Sequence, residues 1–200
     1  MALSQGGTAP GKLVVISAPS GSGKTTIARE IIRLNPSLRF SISATTRQRR
    51  EREADGKDYY FLNRDEFQRR VSAGDFVEWE ELFGNFYGTL KSELNEALKQ
   101  GKHILFDVDV KGGLSIKREY QDTLMIFIRT PSVEVLRERL IRRQTESDAM
   151  LAKRVERVPM ELELGKTYPH QIVNDNLQRA VQEVQAIVAN FLLHESTSSE

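Results

Sequence analysis

Lys12-Leu-Val-Val-Ile-Ser-Ala-Pro-Ser-Gly-Ser-Gly-Lys-Thr25 is the stretch on which the fold turns. Lys12 to Ser17 is a short β-branched run, which reads as a fully buried strand. Ala18 to Thr25 (APSGSGKT) reads as a loop, and a helical pattern follows from Thr25 to Leu34 with Ile27, Ile31, Ile32 and Leu34 apolar. Strand, glycine-rich loop and helix in that order make a cradle for phosphate. Gly21 and Gly23 let the backbone wrap closely, so that successive N–H groups point inward. The helix N-terminus adds partial positive charge. Lys24 then reaches β- and γ-phosphates, and the Thr25 hydroxyl is a ligand for Mg²⁺. Ala18 stands where the strict pattern has glycine. An ordinary Gly/Ser loop is the plain alternative, and the GxGK[ST] pattern in its strand–loop–helix setting disfavours it. The stretch points to a nucleoside-triphosphate enzyme, triphosphatase or kinase, without choosing between them.

Outward from this loop, His103 to Val108 (HILFDV) and Leu124 to Ile128 (LMIFI) read as two more buried strands, and Gln171 to Val173 as a weaker fourth. Helical patterns occupy Ser92 to Gln100, Val110 to Glu119, Ser132 to Arg143 and Leu177 to Leu193. The last carries Val181, Val184, Ile187, Val188 and Phe191 on one face. Strands alternating with helices predict an α/β fold, a parallel sheet with helices on both faces. Two stretches break the rhythm. Ser43 to Leu90 is rich in Arg, aromatics and Gly, with strand-like pieces at Tyr59–Leu62, Phe76–Trp79 and Phe86–Leu90, and reads as an inserted subdomain. Arg142 to Glu156 is highly charged with few apolar anchors and reads as a mobile flap.

Composition narrows the functions available. The 200 residues carry 29 Lys+Arg against 28 Asp+Glu, a net charge of +1, which argues against a general polyanion binder. The absence of Cys excludes a thiol nucleophile, a thiolate metal site and a disulfide scaffold. Met1 to Gly11 lacks the apolar core of a signal peptide, and no apolar run approaches the ~20 residues of a membrane span. The expectation is a soluble, cytoplasmic single domain with no nucleic-acid or membrane partner. Residues 1–10 and 195–200 are expected to be flexible.

A triphosphate enzyme of this type needs a carboxylate at the end of a neighbouring buried strand, to hold Mg²⁺ through water. Phe106-Asp107-Val108-Asp109 supplies two, before Gly112-Gly113, at the carboxyl end where open α/β sheets bind ligands. The plainer role for both is capping the next helix. Ser43-Ala-Thr-Thr-Arg-Gln-Arg-Arg-Glu-Arg-Glu53 resembles a nucleic-acid patch, but Glu51 and Glu53 interrupt it. A small-anion clamp fits better: two Arg three apart, with Tyr59 and Tyr87 nearby in the insertion, can grip one phosphate group.

Taken together these residues resemble guanylate kinase, a family of P-loop nucleoside monophosphate kinases. The resemblance runs from Lys12 to about Phe191 through SAPSGSGKT, SATTRxxR, GKDYYF, EFQ, FVEW, GNFYGT, FDVDVKGG, TPSVEVLRERL and IVNDN. It implies transfer of the γ-phosphoryl of ATP to GMP, Mg²⁺-dependent, by a monomer or homodimer. It implies a core at about 11–42, 91–141 and 160–194, a GMP-binding insertion at about 43–90 and a short helical lid at about 142–159. For the GMP phosphate it implies Arg47, Arg50, Tyr59 and Tyr87, with Glu53 orienting the Arg pair. For the guanine it implies Ser43, Glu78 and Thr89, with Asp109 near the nucleoside. The chemistry supports Glu78, because a carboxylate can accept from both N1–H and the exocyclic amine of guanine, a donor pair adenine lacks. For ATP it implies Ala18, Pro19, Ser20, Gly21, Ser22, Gly23, Lys24, Thr25 and Thr26, with Asn174 beside the donor adenine. Arg139, Arg143 and Arg154 match lid arginines that close on the transferring phosphoryl. Lys24, Arg47, Arg143 and Arg154 are thus the implied catalytic set, and Thr25 and Asp107 the metal ligands.

The chain departs from the family pattern at several positions. Arg49 and Arg52 replace a Pro and a Gly beside the clamp, Lys111 replaces a Gln, and Arg142 and Gln144 replace glycines flanking Arg143. Pro159 falls inside a predicted helix from Leu151 to Leu164, which it is expected to kink or restart. The lid arginines also read, more plainly, as solvated helix charges with partners such as Glu138–Arg142. Two rival functions follow from the same fold: a non-catalytic binding module, or a kinase for another nucleoside monophosphate. An intact Lys24, Thr25 and Asp pair speaks against the first, and Ser43, Glu78 and Thr89 against the second.

Overall fold

A computed structural model describes residues 11–51, 53–142 and 148–193, with the backbone alone at 148–150. The expected ends at 1–10 and 195–200, and Arg52, Arg143 and Gln144, lie outside the described residues. The chain opens with β1 (Leu13–Ser17) and α1 (Lys24–Leu34), then β2 (Leu38–Phe40) and β3 (Ser43–Thr45). Next come β4 (Tyr60–Phe61), α2 (Arg64–Ser72), β5 (Phe76–Leu82) and β6 (Asn85–Leu90). Then follow α3 (Lys91–Lys99), β7 (His103–Asp107), α4 (Val110–Glu119), β8 (Leu124–Arg129) and α5 (Val133–Arg142). The last elements are α6 (Asp148–Gly165), β9 (His170–Val173) and α7 (Leu177–Leu193).

These form two sheets. The first has five strands in the order β2-β7-β1-β8-β9, every pairing parallel. Its central strand β1 is buried throughout, which is why it reads as an unbroken apolar run without alternation. Val14 and Ile16 pack with Ile27 and Ile31 of α1 and Val184 and Val188 of α7. Leu13 and Val15 face the other way, with Val110 and Ile116 of α4 and with Tyr168. Each such side chain contributes about 1.5–3 kcal/mol over leaving it in water. Helices therefore cover both faces, as the sequence predicts.

The second sheet has four strands in the order β4-β3-β6-β5, and β4, β5 and β6 coincide with the three strand-like pieces of the insertion. One face packs Ala44, Phe76, Phe86 and Leu90 against Phe67 of α2. The other face is polar. Register places Ser43 opposite Thr89 and Thr89 opposite Glu78, so the three stand in one row across β3, β6 and β5. A β-bulge between Phe76 and Glu78 makes this possible. In an unbroken strand residues two apart share a face. The extra residue, Val77, lets Phe76 join the apolar cluster while Glu78 points the other way.

Helix α6 differs from expectation. It runs through Pro159 as one helix from Asp148, three residues earlier than predicted, and does not restart. A proline removes a single backbone donor. Val155, Val158 and Leu162 on both sides of it pack against Leu136 and Leu140 of α5, which holds the two halves to one surface.

Candidate active site

The phosphate loop is set by the end of β1. Gly21 and Gly23 adopt φ of 91° and 89°, the left-handed region that glycine enters without strain. Gly23 has a second reason: a Cβ there would meet the Asn174 amide nitrogen at 2.4 Å. That amide donates to the Ser22 carbonyl at 2.7 Å, and Arg139 Nη2 donates to the Asn174 carbonyl at 2.9 Å. Asn174 is buried and lies behind the loop, bracing it. Thr26 is exposed on α1, and Pro19 is buried beneath the loop.

Parallel pairing of β1 with β7 sets Ile16 beside Asp107, and so carries Asp107 to the mouth of the loop. Lys24 Nζ lies 2.6 Å from Asp107 Oδ1 and donates to the Val108 carbonyl at 2.8 Å. Thr25 Oγ1 donates to Asp107 Oδ2 at 2.7 Å. The structure thus joins the three donor-side residues that sequence spacing alone left apart. Asp109 does cap α4, its Oδ1 accepting from the Gly112 N–H at 2.8 Å. Gly112 must lack a side chain, since a Cβ would sit 2.8 Å from Glu78 Oε2, and Asp109 and Glu78 therefore stand side by side.

The other expected acceptor residues lie on the second sheet and on the segment between β3 and β4. Arg47 grips Glu53 through two hydrogen bonds of 3.0 and 2.8 Å, and the Arg50 backbone N–H donates to the same carboxylate at 2.8 Å. The hydrogen bond raises Arg47 further above its ordinary value and holds the Glu53 carboxyl below its own. The Arg47 guanidinium lies 5.4 Å from the Tyr59 ring centre, and the Tyr59 and Tyr87 rings are 6.2 Å apart. The Arg50 side chain is exposed. Arg49 donates to the Glu53 carbonyl at 3.1 Å, so the replacement of proline there adds a tie to the clamp loop.

Glu78 is buried and accepts from Thr89 Oγ1 at 2.8 Å. Burial pushes its carboxyl up to about 7, Asp109 adds to the rise, and the Thr89 hydrogen bond opposes it. Ser43 lines the same cleft. Two adjoining clefts, of about 220 and 310 Å³, share Lys24, Thr25, Phe83, Asp109 and Arg154. One continues along the phosphate loop, the other along Ser43, Tyr59, Glu78 and Tyr87.

Helix α6 overhangs their junction. Arg154 Nη1 donates to Ser20 Oγ at 2.6 Å, and its guanidinium lies 4.9 Å from the centre of the Phe83 ring. Phe83 sits at the tip of the β5–β6 hairpin with φ of 53°, paired with Gly84 at 82°. A two-residue hairpin turn of this hand needs both angles positive. Sequence reading missed Phe83, and also Arg157, Glu80 and Glu161, which gather beside Asp109. Arg157 Nη2 lies 3.1 Å from Glu80 and 3.0 Å from Asp109, and its Nε 3.5 Å from Glu161. The available signal was spacing: Arg154, Arg157 and Glu161 recur at three and four along one helix face.

As an arrangement, this site can hold two anions end to end. The loop N–H groups and Lys24 serve one, Arg47 and the tyrosines the other, with a hydroxyl and a carboxylate at the junction. Comparison with known proteins agrees. The chain matches the family described as guanylate kinase over residues 10–191. It is 48% identical to a guanylate kinase of Chlorobium chlorochromatii over 183 residues, which cover 91% of this chain and 96% of that one. Identity to a guanylate kinase of Thermotoga maritima is 42%, over 89% of this chain and 86% of that one. The crystal structure of guanylate kinase from Anaplasma phagocytophilum superposes with a TM-score of 0.74 at 29% identity, over 93% of this chain and 88% of that one.

Proposed function

The chain belongs to the guanylate kinase family, and from that premise we infer that it transfers the γ-phosphoryl group of ATP to GMP. The observation that carries this reading is the junction of the two clefts, whose shared wall includes Lys24, Thr25 and Arg154. A transferable phosphoryl group held there has a nucleotide on either side.

In this reading, the loop from Ala18 to Thr25 wraps the ATP phosphates, and Lys24 turns from Asp107 to the β- and γ-oxygens. Arg47, Tyr59 and Tyr87 hold the GMP phosphate, and Glu53 keeps the Arg47 fork in one orientation. Ser43, Thr89 and ionised Glu78 take the guanine edge, and the two hydroxyls can donate to O6. Arg154 neutralises charge on the transferring group from above, joined by Arg139 and Arg143 of the lid. The nucleophile is a phosphate oxygen, already anionic at neutral pH, so no general base is required. Catalysis is positioning and charge neutralisation, and covering the junction with α6 excludes water that would hydrolyse ATP.

Thr25 Oγ1 and Asp107, one hydroxyl and one carboxylate 2.7 Å apart, fit a hard divalent cation that keeps most of its water. Thr25 and Asp107 would hold Mg²⁺, which would supply positive charge to offset that of the ATP phosphates. The near-balanced charge supports small-molecule substrates over a nucleic-acid partner, and the proposal includes a cytoplasmic monomer or homodimer without a membrane partner. Among the described residues no helix is long and apolar enough to cross a membrane.

The test is a coupled assay of ADP release with GMP, AMP and UMP as acceptors. GMP is expected to be strongly preferred, and Lys24→Ala to abolish turnover while the thermal unfolding curve keeps its cooperativity. Equal rates with AMP, or activity retained by Lys24→Ala, would overturn the reading.

A further inference from the structure

Arg157 ties three elements of the site together. It stands on α6, yet its Nη2 reaches Glu80 of β5 at 3.1 Å and Asp109, the cap of α4, at 3.0 Å. Three residues earlier on the same helix, Arg154 holds Ser20 of the phosphate loop. Arg154 lines both clefts, and Arg157 lines the phosphate-loop cleft while reaching Glu80 and Asp109, which line the second.

Its surroundings explain why it can have a role beyond a surface ion pair. Glu78, Glu80 and Asp109 line the second cleft, Glu161 lines the first next to Asp109, and Arg157 touches three of the four. Glu78 contacts Thr89 and stands beside Asp109 at the Gly112 edge. Lys24 lines the same cleft and acts on Glu78 and Glu161, and Lys111 lies 3.8 Å from Glu80, largely exposed. Glu80 Oε2 and Glu161 Oε2 are buried without a hydrogen-bond partner among the described residues. Four acids gathered in a half-buried pocket repel one another and the anionic acceptor. Partly desolvated charges need a hydrogen-bonded partner to remain ionised.

We propose that Arg157 is a positioning residue that fixes Asp109 and Glu80 in the acceptor-base pocket and, through α6, couples occupancy of that pocket to the phosphate loop. This rests on reading the second cleft as the GMP site. A purine that engages Asp109 on its pocket side favours the conformation in which Arg157 holds the other carboxylate oxygen. That conformation also brings Arg154 over Ser20. Coupling of this kind is reciprocal, so a triphosphate on the loop tightens GMP by the same factor as GMP tightens the triphosphate.

The experiment is isothermal calorimetry on the full chain, titrating GMP with and without a saturating non-hydrolysable ATP analogue. Wild type, Arg157→Met and Arg157→Lys are compared. In wild type the analogue is expected to tighten GMP by roughly 5- to 150-fold, the ordinary range of such coupling. In Arg157→Met the ratio is expected to fall to about one, with affinity for the analogue alone changed less than about twofold. Arg157→Lys keeps the charge but lacks the planar fork, and is expected to recover GMP affinity without the full ratio. Wild-type coupling in either variant overturns the proposal, as does an equal loss of affinity for both ligands measured singly. A wild-type chain that binds AMP as well as GMP overturns the acceptor reading itself. If GMP is preferred but coupling survives substitution, the coupling role alone fails.

Discussion

At the scale of single residues, Glu78 sets folding against recognition. The proposed contact with guanine requires an ionised carboxylate, and burial penalises that form, raising the group from an ordinary 4.5 to about 7. The raised value has a definite sign. Between the two values the folded chain binds the extra proton, so the stability tied to Glu78 is complete below pH 4.5 and declines as pH rises through about 7. Glu78→Gln removes the titration. Denaturant unfolding at pH 5 and pH 8 is expected to show the variant gaining on wild type at the higher pH, by up to ~3 kcal/mol. The same variant should lose part of its preference for GMP over AMP. An equal stability difference at both pH values would mean that Glu78 does not titrate in this range. Residues of this kind differ in how plainly a sequence announces them. Lys24, Thr25 and Asp107 stand in patterns that chemistry explains, and the structure brings them within hydrogen-bonding distance. Arg157 stands in a run of alternating charges that reads equally well as a solvated helix face. Only the approach of Glu80 and Asp109 from other elements distinguishes it.

Among the elements, β1, β7 and β8 of the first sheet were legible because they are largely buried and read as unbroken apolar runs, and β9, less buried, only weakly. β2 and β3 were not, because three residues give periodicity nothing to repeat. Helix α2 was missed for another reason: RDEFQRRVS is charged on nearly all sides and buries only Phe67. That one ring carries much of the attachment. It stacks on Phe76 at 4.4 Å and on Phe86 at 5.3 Å, covering the apolar face whose reverse holds Ser43, Thr89 and Glu78. Phe67→Ala is expected to cost about 3–5 kcal/mol in chemical denaturation. It should also raise the KM for GMP while affinity for an ATP analogue is kept. A variant that loses both affinities together would show that the two sheets do not respond separately. The bulge at Val77 has no sequence signal, since FVEW reads as a plain strand, and the assignment of Glu78 to the polar face had to come from the family resemblance.

Over the whole molecule, stability is unevenly shared. β1 is flanked by β7 and β8 and covered on both faces, whereas the second sheet has one face on the cleft and a smaller apolar cluster on the other. Native-state hydrogen exchange is expected to find the slowest amides at Val14–Ile16, Leu105 and Ile126–Ile128, opening only with global unfolding. Amides of the β5–β6 hairpin should exchange through smaller openings, and the reverse order would contradict this division. The division also bears on how such a molecule can change over generations. No strand is common to the two sheets, and the row of Ser43, Thr89 and Glu78, proposed above to read the base, belongs wholly to the second. The Ile16–Asp107 register that seats the phosphotransfer machinery belongs wholly to the first. On that proposal, substitutions along the row change which acceptor is welcomed and leave the first sheet's register untouched. A lineage with this layout can drift from one purine to another through three side chains on a fixed backbone, inheriting its chemistry intact.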